Sequence, residues 1–175
     1  MTGDCRAVLD ACVLVPMPLA DTLLRLAEHP RLYLPRWSQD IMDEVTRTLM
    51  VKFGVPEERA RHREEVLRRH FGEAWVHDYR RLIPAMSNHP GDRHVLAAAV
   101  KCRAELIVTY NRTHFPERAL KPWGIEARGP STFLRDLYHL NPELVIRRLR
   151  EQAVNIAMAL PQLLPKLHKA VPGFA

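Results

Sequence analysis

The stretch from Ala7 to Val15 (Ala-Val-Leu-Asp-Ala-Cys-Val-Leu-Val) constrains the fold most, being apolar throughout except for one carboxylate, Asp10. Such a run has no face to show to water. It reads as a central strand of a parallel sheet, covered on both sides, with Asp10 near its carboxyl end. Pro16 and Pro18 end the strand, and Leu19 to Ala27 continues with helical spacing. Ser38 then stands as an N-cap ahead of Ile41, Val45 and Leu49, spaced i, i+4, i+8. Asn88-His-Pro-Gly91 signals a turn, after which Asp92 opens a helix through Val95 to Val100. Leu106 to Tyr110 is a short buried strand, 111–116 a loop, Ile125 to Arg128 a weaker strand, and Pro130 to Tyr138 a short helix. Strands alternating with helices predict an α/β fold, its central sheet mostly parallel, flanked by helices and joined by right-handed crossovers.

Residues 57–71 are dense in charge and poor in apolar anchors, which predicts a solvated helix laced with i,i+4 ion pairs. Beyond Leu140 the character changes. Asn141-Pro142 opens a helical stripe of Val145, Leu149, Ala153, Ile156 and Leu160; Pro161 and Pro165 break it before a last short helix, Lys166 to Val171. The 175 residues therefore divide into one domain, 1–139, and a helical C-terminal extension, 140–175. The apolar stripe must be covered, either by its own domain or by a partner in a dimer or complex, with Arg147, Arg148 and Arg150 towards its polar flank.

Lys and Arg total 26 against 20 Asp and Glu, for a net charge of +6, and 21 of the cations are Arg. An Arg-weighted basic surface suits phosphate recognition, although genome composition enriches Arg equally well. Cys5, Cys12 and Cys102 lack the spacing of a disulfide framework or zinc site and fit a reducing compartment. No apolar run is long enough to span a membrane, and Asp4 with Arg6 is a poor signal-peptide start, so a cytoplasmic protein is expected.

Sites in open α/β sheets lie beyond the carboxyl ends of the strands, which singles out the loops after Asp10 and at Thr109-Tyr-Asn111. Each acid has a plain structural reading. Asp10 could cap a loop, Asp40, Asp43 and Glu44 could be ordinary acids at a helix start, and Asp92 could be an N-cap. Taken together, Asp10, Glu44, Asp92 and Asn111 could converge. Carboxylates sharing a pocket repel one another unless a divalent cation holds them ionised, and all-oxygen donors suit Mg²⁺ or Mn²⁺ rather than zinc. An acidic pocket in a basic protein is the charge arrangement of a metal-dependent phosphodiesterase. No GxxxxGK[ST], GxGxxG, GxSxG or HExxH occurs, and Cys12 stands where a haloacid-dehalogenase-like phosphatase has a second Asp. His89 and His94 read as loop and helix-start residues rather than as ligands, and Trp37, Trp75 and Trp123 as packing residues.

The order of motifs resembles the PIN domain, the nuclease fold of VapC-type bacterial toxins and of several RNA-processing enzymes. The likeness rests on Val8-Leu-Asp-Ala-Cys-Val-Leu14, Pro35-Arg-Trp-Ser-Gln-Asp-Ile-Met-Asp-Glu44, Gly91-Asp-Arg-His-Val-Leu-Ala-Ala-Ala99 and Ile107-Val-Thr-Tyr-Asn-Arg-Thr-His-Phe-Pro116, and covers about residues 6–138. The resemblance implies that the family's three acids fall on Asp10, Glu44 and Asp92, its fourth position on Asn111, and a polar neighbour on Thr109. His114 stands where an acid commonly precedes the Phe, a departure that bears on a second metal site more than on the first. The implied activity is that of an Mg²⁺- or Mn²⁺-dependent endoribonuclease, in which metal-bound water attacks phosphorus and leaves 5′-phosphate and 3′-hydroxyl ends. Asp10 and Asp92 would anchor the metal, Glu44 would hold it or its water, Asn111 would orient water or phosphate, and Arg93 and Arg112 are candidates for phosphate contacts. The expected partners are RNA, the cognate antitoxin of a type II pair and a second copy of the chain. From another class comes a PIN-fold module that binds RNA or protein with little or no turnover; the three acids favour the enzyme, and Asn111 and His114 keep the binder in play.

Overall fold

In the computed structural model, which describes residues 4–174, five parallel strands form one sheet in the order β3-β2-β1-β4-β5. Strand β1 (Arg6–Leu9) lies at its centre, and Ala7, Val8 and Leu9 are fully buried, as an apolar run with no polar face requires. The first three residues and Ala175, within the 1–139 and 140–175 boundaries, lie outside the described residues. The strand is shorter than the sequence suggests. It ends at Leu9, Asp10 becomes an N-cap, and Ala11–Leu14 form a helical turn, α1. A continuous apolar run cannot distinguish strand from buried helix, and the Asp10 carboxylate, by accepting the Ala11 N–H at 2.7 Å, tips the balance.

Helix α2 (Met17–Ala27) follows, opening two residues earlier than its apolar spacing indicates because Pro18 is tolerated in a first turn. Strand β2 (Leu34–Ser38) and the two-residue β3 (Trp75–Val76) were not expected from the sequence. Leu34 donates to the Cys5 carbonyl on the β1 side, so the missing N–H of Pro35 points the other way, where β3 pairs only with Trp37 and Ser38. Ser38 caps α3 (Gln39–Phe53) as predicted, its Oγ accepting the Ile41 N–H at 3.3 Å. Gly54, at φ 63°, ends that helix in the left-handed conformation. Helix α4 (Glu57–His70) buries only Ala60 and Leu67 and carries Arg61–Glu57 and Arg68–Glu64 pairs, in keeping with a solvated face.

Helix α5 (Arg93–Cys102) packs across β2, β1 and β4 (Leu106–Val108), its Val95 to Ala99 segment fully buried. After α6 (Glu117–Leu120) and β5 (Glu126–Arg128), α7 (Pro130–Leu140) places Phe133 edge-on to the buried Tyr33 ring at 4.9 Å. Trp37 packs against Trp75 and Phe71, but Trp123 is 42% exposed, in the turn just before Gly124.

The C-terminal stripe does not run unbroken to Leu160. Helix α8 (Pro142–Asn155) buries Val145, Leu149 and Ala153, whereas Ile156 is exposed beyond its end. Helix α9 (Leu160–Ala170) starts earlier than expected, because Pro161 falls in its first turn and needs no N–H there; Pro165 is accommodated inside it. Both helices pack on α2 and share its core, so the stripe is covered by this same chain. A buried polar pair seals that contact, with Thr22 Oγ1 donating to Gln152 Oε1 at 2.7 Å and Gln152 Nε2 to the Pro18 carbonyl at 2.9 Å. Arg148 is spent internally, on Glu151 and the His29 carbonyl. No helix of the described residues is long and apolar enough to cross a membrane.

Candidate active site

Because β1 and β4 are parallel neighbours, the residues that follow them emerge at one edge of the sheet. There Asp10, Glu44, Asp92 and Asn111 line a single cleft of about 420 Å³.

Asp10 is 3% exposed. Besides the Ala11 N–H, its carboxylate accepts from Thr109 Oγ1 at 2.6 Å and from Cys12 Sγ at 3.3 Å. Burial pushes this carboxyl above the usual range and the Asp92 charge adds to the effect, while the Thr109 and Cys12 hydrogen bonds partly oppose it. The Thr109 hydroxyl is thereby fixed: it donates to Asp10 and accepts the Asn111 N–H at 2.9 Å, tying the two loops of the site together. Cys12, to which the sequence assigns no role in the site, belongs to the same network and accepts the Tyr110 N–H at 3.3 Å. Burial, then the Asp10 charge, pushes its thiol up to about 12, so it acts as a neutral donor.

Glu44 reaches the cleft from α3, where Oε1 pairs with His94 Nε2 at 3.0 Å. Burial pulls the His94 imidazole down, but the Glu44 contact together with the Asp40 and Asp10 charges outweighs it and the net shift is upward. His94 Nδ1 is buried without a hydrogen-bond partner among the described residues; the residue does stand at the start of α5, and what its position could not show is the Glu44 contact. Asp92 occupies the N-cap position of α5, yet its side chain makes no capping bond. Its Oδ2 faces His114 Nδ1 at 2.6 Å and His89 Nδ1 at 3.4 Å. Asn111 is exposed on the cleft wall.

The two arginines nominated for phosphate contacts do not line this cleft. Arg93 turns to the Asn88 carbonyl at 3.4 Å, and Arg112 is exposed in the turn directly after Asn111. Arg47 and Lys52 of α3 line it instead, with Thr48. The signal was present in the spacing: Glu44, Thr48 and Lys52 fall at i, i+4, i+8, on one helical face. Three carboxylates and an amide make an all-oxygen donor set, and the buried Asp10 carboxylate gains from a neighbouring cation; the residues present fit a hard divalent ion.

Residues 6–113, more than half of the chain, match the family profile described as the PIN domain. A Mycobacterium tuberculosis protein named "Putative ribonuclease VapC50" is 46% identical over 105 residues, 58% of this chain and 62% of that protein, so the match spans less than two thirds of the relative's length. No solved structure matches.

Proposed function

The chain belongs to the PIN-domain family, and on that premise we propose that it is an Mg²⁺- or Mn²⁺-dependent endoribonuclease, the toxin of a type II toxin–antitoxin pair acting in the cytoplasm. The observation that carries the reading is the convergence of Asp10, Glu44, Asp92 and Asn111 on one cleft at the carboxyl ends of β1 and β4. Asp10 and Asp92 would hold the ion and Glu44 would complete the set. A divalent ion held there supplies Lewis acidity and neutralises charge developing on a phosphodiester. The chain's own residues do the rest. The Thr109 hydroxyl and the Ala11 N–H fix the Asp10 carboxylate, and His94 fixes that of Glu44, so the acids meet substrate already oriented. Asn111 offers an amide to a phosphate oxygen without adding a fourth negative charge. Arg47 and Lys52 supply cations for RNA phosphates beside the acids, and the net charge of +6 favours encounter with a polyanion. RNA is the substrate in this reading, an antitoxin its regulator, and a second copy of the chain a further partner.

The test is cleavage of total RNA by wild type and Asp10→Asn, with Mg²⁺ or Mn²⁺ and with chelator. Cleavage should require the ion and be lost in the variant. An Asp10→Asn protein that keeps the wild-type metal-dependent rate would remove Asp10 from the machinery and the reading with it. Growth arrest on expression, relieved by co-expressing an adjacent small reading frame, tests the toxin assignment.

A further inference from the structure

Two turns beside the cleft are pinned to each other, the His89 N–H bonding to the His114 carbonyl at 3.1 Å. Each is closed by its own backbone bond, Asp92 N–H to the His89 carbonyl and His114 N–H to that of Asn111, both 2.9 Å. This frame gathers His89, Asp92 and His114. Among the described residues they are the one group of three His, Cys, Asp or Glu side chains whose ligand-type atoms all lie within 4.8 Å of one another. Both Nδ1 atoms converge on the same carboxylate oxygen, Asp92 Oδ2.

Hydrogen bonding explains one of these contacts and not the other. At 2.6 Å, His114 Nδ1 donates to the carboxylate. His89 Nδ1 instead accepts the Gly91 N–H at 3.2 Å, so it carries no proton to offer Asp92. An unprotonated ring nitrogen and a carboxylate oxygen, both acceptors, thus stand 3.4 Å apart. They repel unless a cation lies between them.

We infer that His89, Asp92 and His114 form a second metal site, selective for a first-row transition ion such as Zn²⁺ or Co²⁺ over Mg²⁺. Two imidazole nitrogens and one carboxylate are a borderline donor set, which suits those ions and not the strongly hydrated Mg²⁺. The site is open: the side chains of His89 and His114 are 51% and 38% exposed, leaving positions for water or a phosphate oxygen. The two rings stack at 4.1 Å with 13° between their planes, which brings both Nδ1 atoms beside the same Asp92 oxygen. Coordination therefore requires the half-exposed His89 ring to turn away from Gly91, and His114 Nδ1 to release its proton. Asp92 belongs to both sites and would couple them, but binding at the histidines does not depend on the nuclease reading.

Calorimetric titration with Zn²⁺, and separately with Mg²⁺, on full-length wild type, His89→Ala, His114→Ala and Asp10→Asn tests the site. Zn²⁺ affinity should fall at least tenfold in either histidine variant and by no more than a few-fold in Asp10→Asn, which touches the site only through the charge of Asp92. In nitrogen-15 histidine spectra, the Nδ1 resonances of His89 and His114 should move on Zn²⁺ addition, and Mg²⁺ affinity should be indifferent to His89→Ala. His89→Gln, with an unchanged melt, separates lost ligation from lost folding and should lose Zn²⁺ as well. Full Zn²⁺ affinity in either alanine variant, or unmoved Nδ1 resonances, would overturn the site. Equal loss in Asp10→Asn would place the ion in the acidic cleft and also overturn it. Failure of the nuclease reading registers separately, as RNA cleavage that survives Asp10→Asn.

Discussion

Asp10→Asn should raise the melting temperature of the metal-free protein at neutral pH and reverse that order once Mg²⁺ is added. The wild-type carboxylate is 3% exposed and pushed above the usual range by burial, with the Asp92 charge adding to it. Between the ordinary carboxylate range and that raised value, the folded chain binds more protons than the unfolded one. Stability therefore falls as pH rises through this window, and the deficit persists above it. Asparagine carries no charge and can keep the Ala11 N–H, but it forfeits the charged acceptor used by Thr109 and Cys12. Relief of a burial penalty of several kcal/mol stands against a charged hydrogen bond of about 1.5–3 kcal/mol and a weaker thiol contact. The balance is about 1 kcal/mol in favour of the variant, or about 2–4 °C in a chain of this length. Mg²⁺ at a hundred times its Kd adds about 2.7 kcal/mol to whichever protein binds it, so wild type should then melt higher. Scanning calorimetry in chelator and in Mg²⁺ reads both effects, and the metal-free gap should close below the ordinary carboxylate range, where both side chains are neutral. A variant that melts below wild type in chelator at neutral pH would refute the burial argument. Equal Mg²⁺ shifts in the two proteins would remove Asp10 from the ion site.

Asn111→Asp adds a carboxylate to the cleft wall and should tighten Mg²⁺ or Mn²⁺ binding on the order of tenfold by calorimetry; unchanged affinity would mean that Asn111 does not face the ion. In an Asp10→Asn background, Lys52→Ala should weaken RNA binding and reduce the slope of log affinity against log salt by about 0.7, one phosphate contact on a single strand. An unaltered slope in fluorescence anisotropy would place Lys52 off the RNA path. Truncation after His139 strips Val145, Leu149, Leu163 and Leu167 from the core and should leave an unfolded or aggregated protein; a monodisperse product with the full-length melt would contradict the packing of α8 and α9 on α2.

Local signals carried much of this architecture. The apolar run at Ala7 to Val15 marks the central strand and places Asp10 at its carboxyl end, Ser38 announces α3, and Val95 to Val100 outline a buried helix. Each such signal lies within a window of a few residues, where period and capping chemistry act directly on the backbone. β2 escaped because Pro35 and Arg36 mask a strand whose open side tolerates a missing N–H, and β3 because two residues have no period. The four motif residues were legible one by one, but their partners were not. Glu44 meets His94 across 50 positions, Asp92 meets His114 across 22, and Thr109 reaches Asp10 across 99. Those meetings depend on the β1–β4 register and on where α3 and the turns beside α5 come to rest, which packing of the whole core decides. The sequence by itself placed one acid at the end of a strand and two at the starts of helices; tertiary structure decided that a threonine, a thiol and two imidazoles hold them, and that α3 rather than Arg93 and Arg112 brings cations to the cleft.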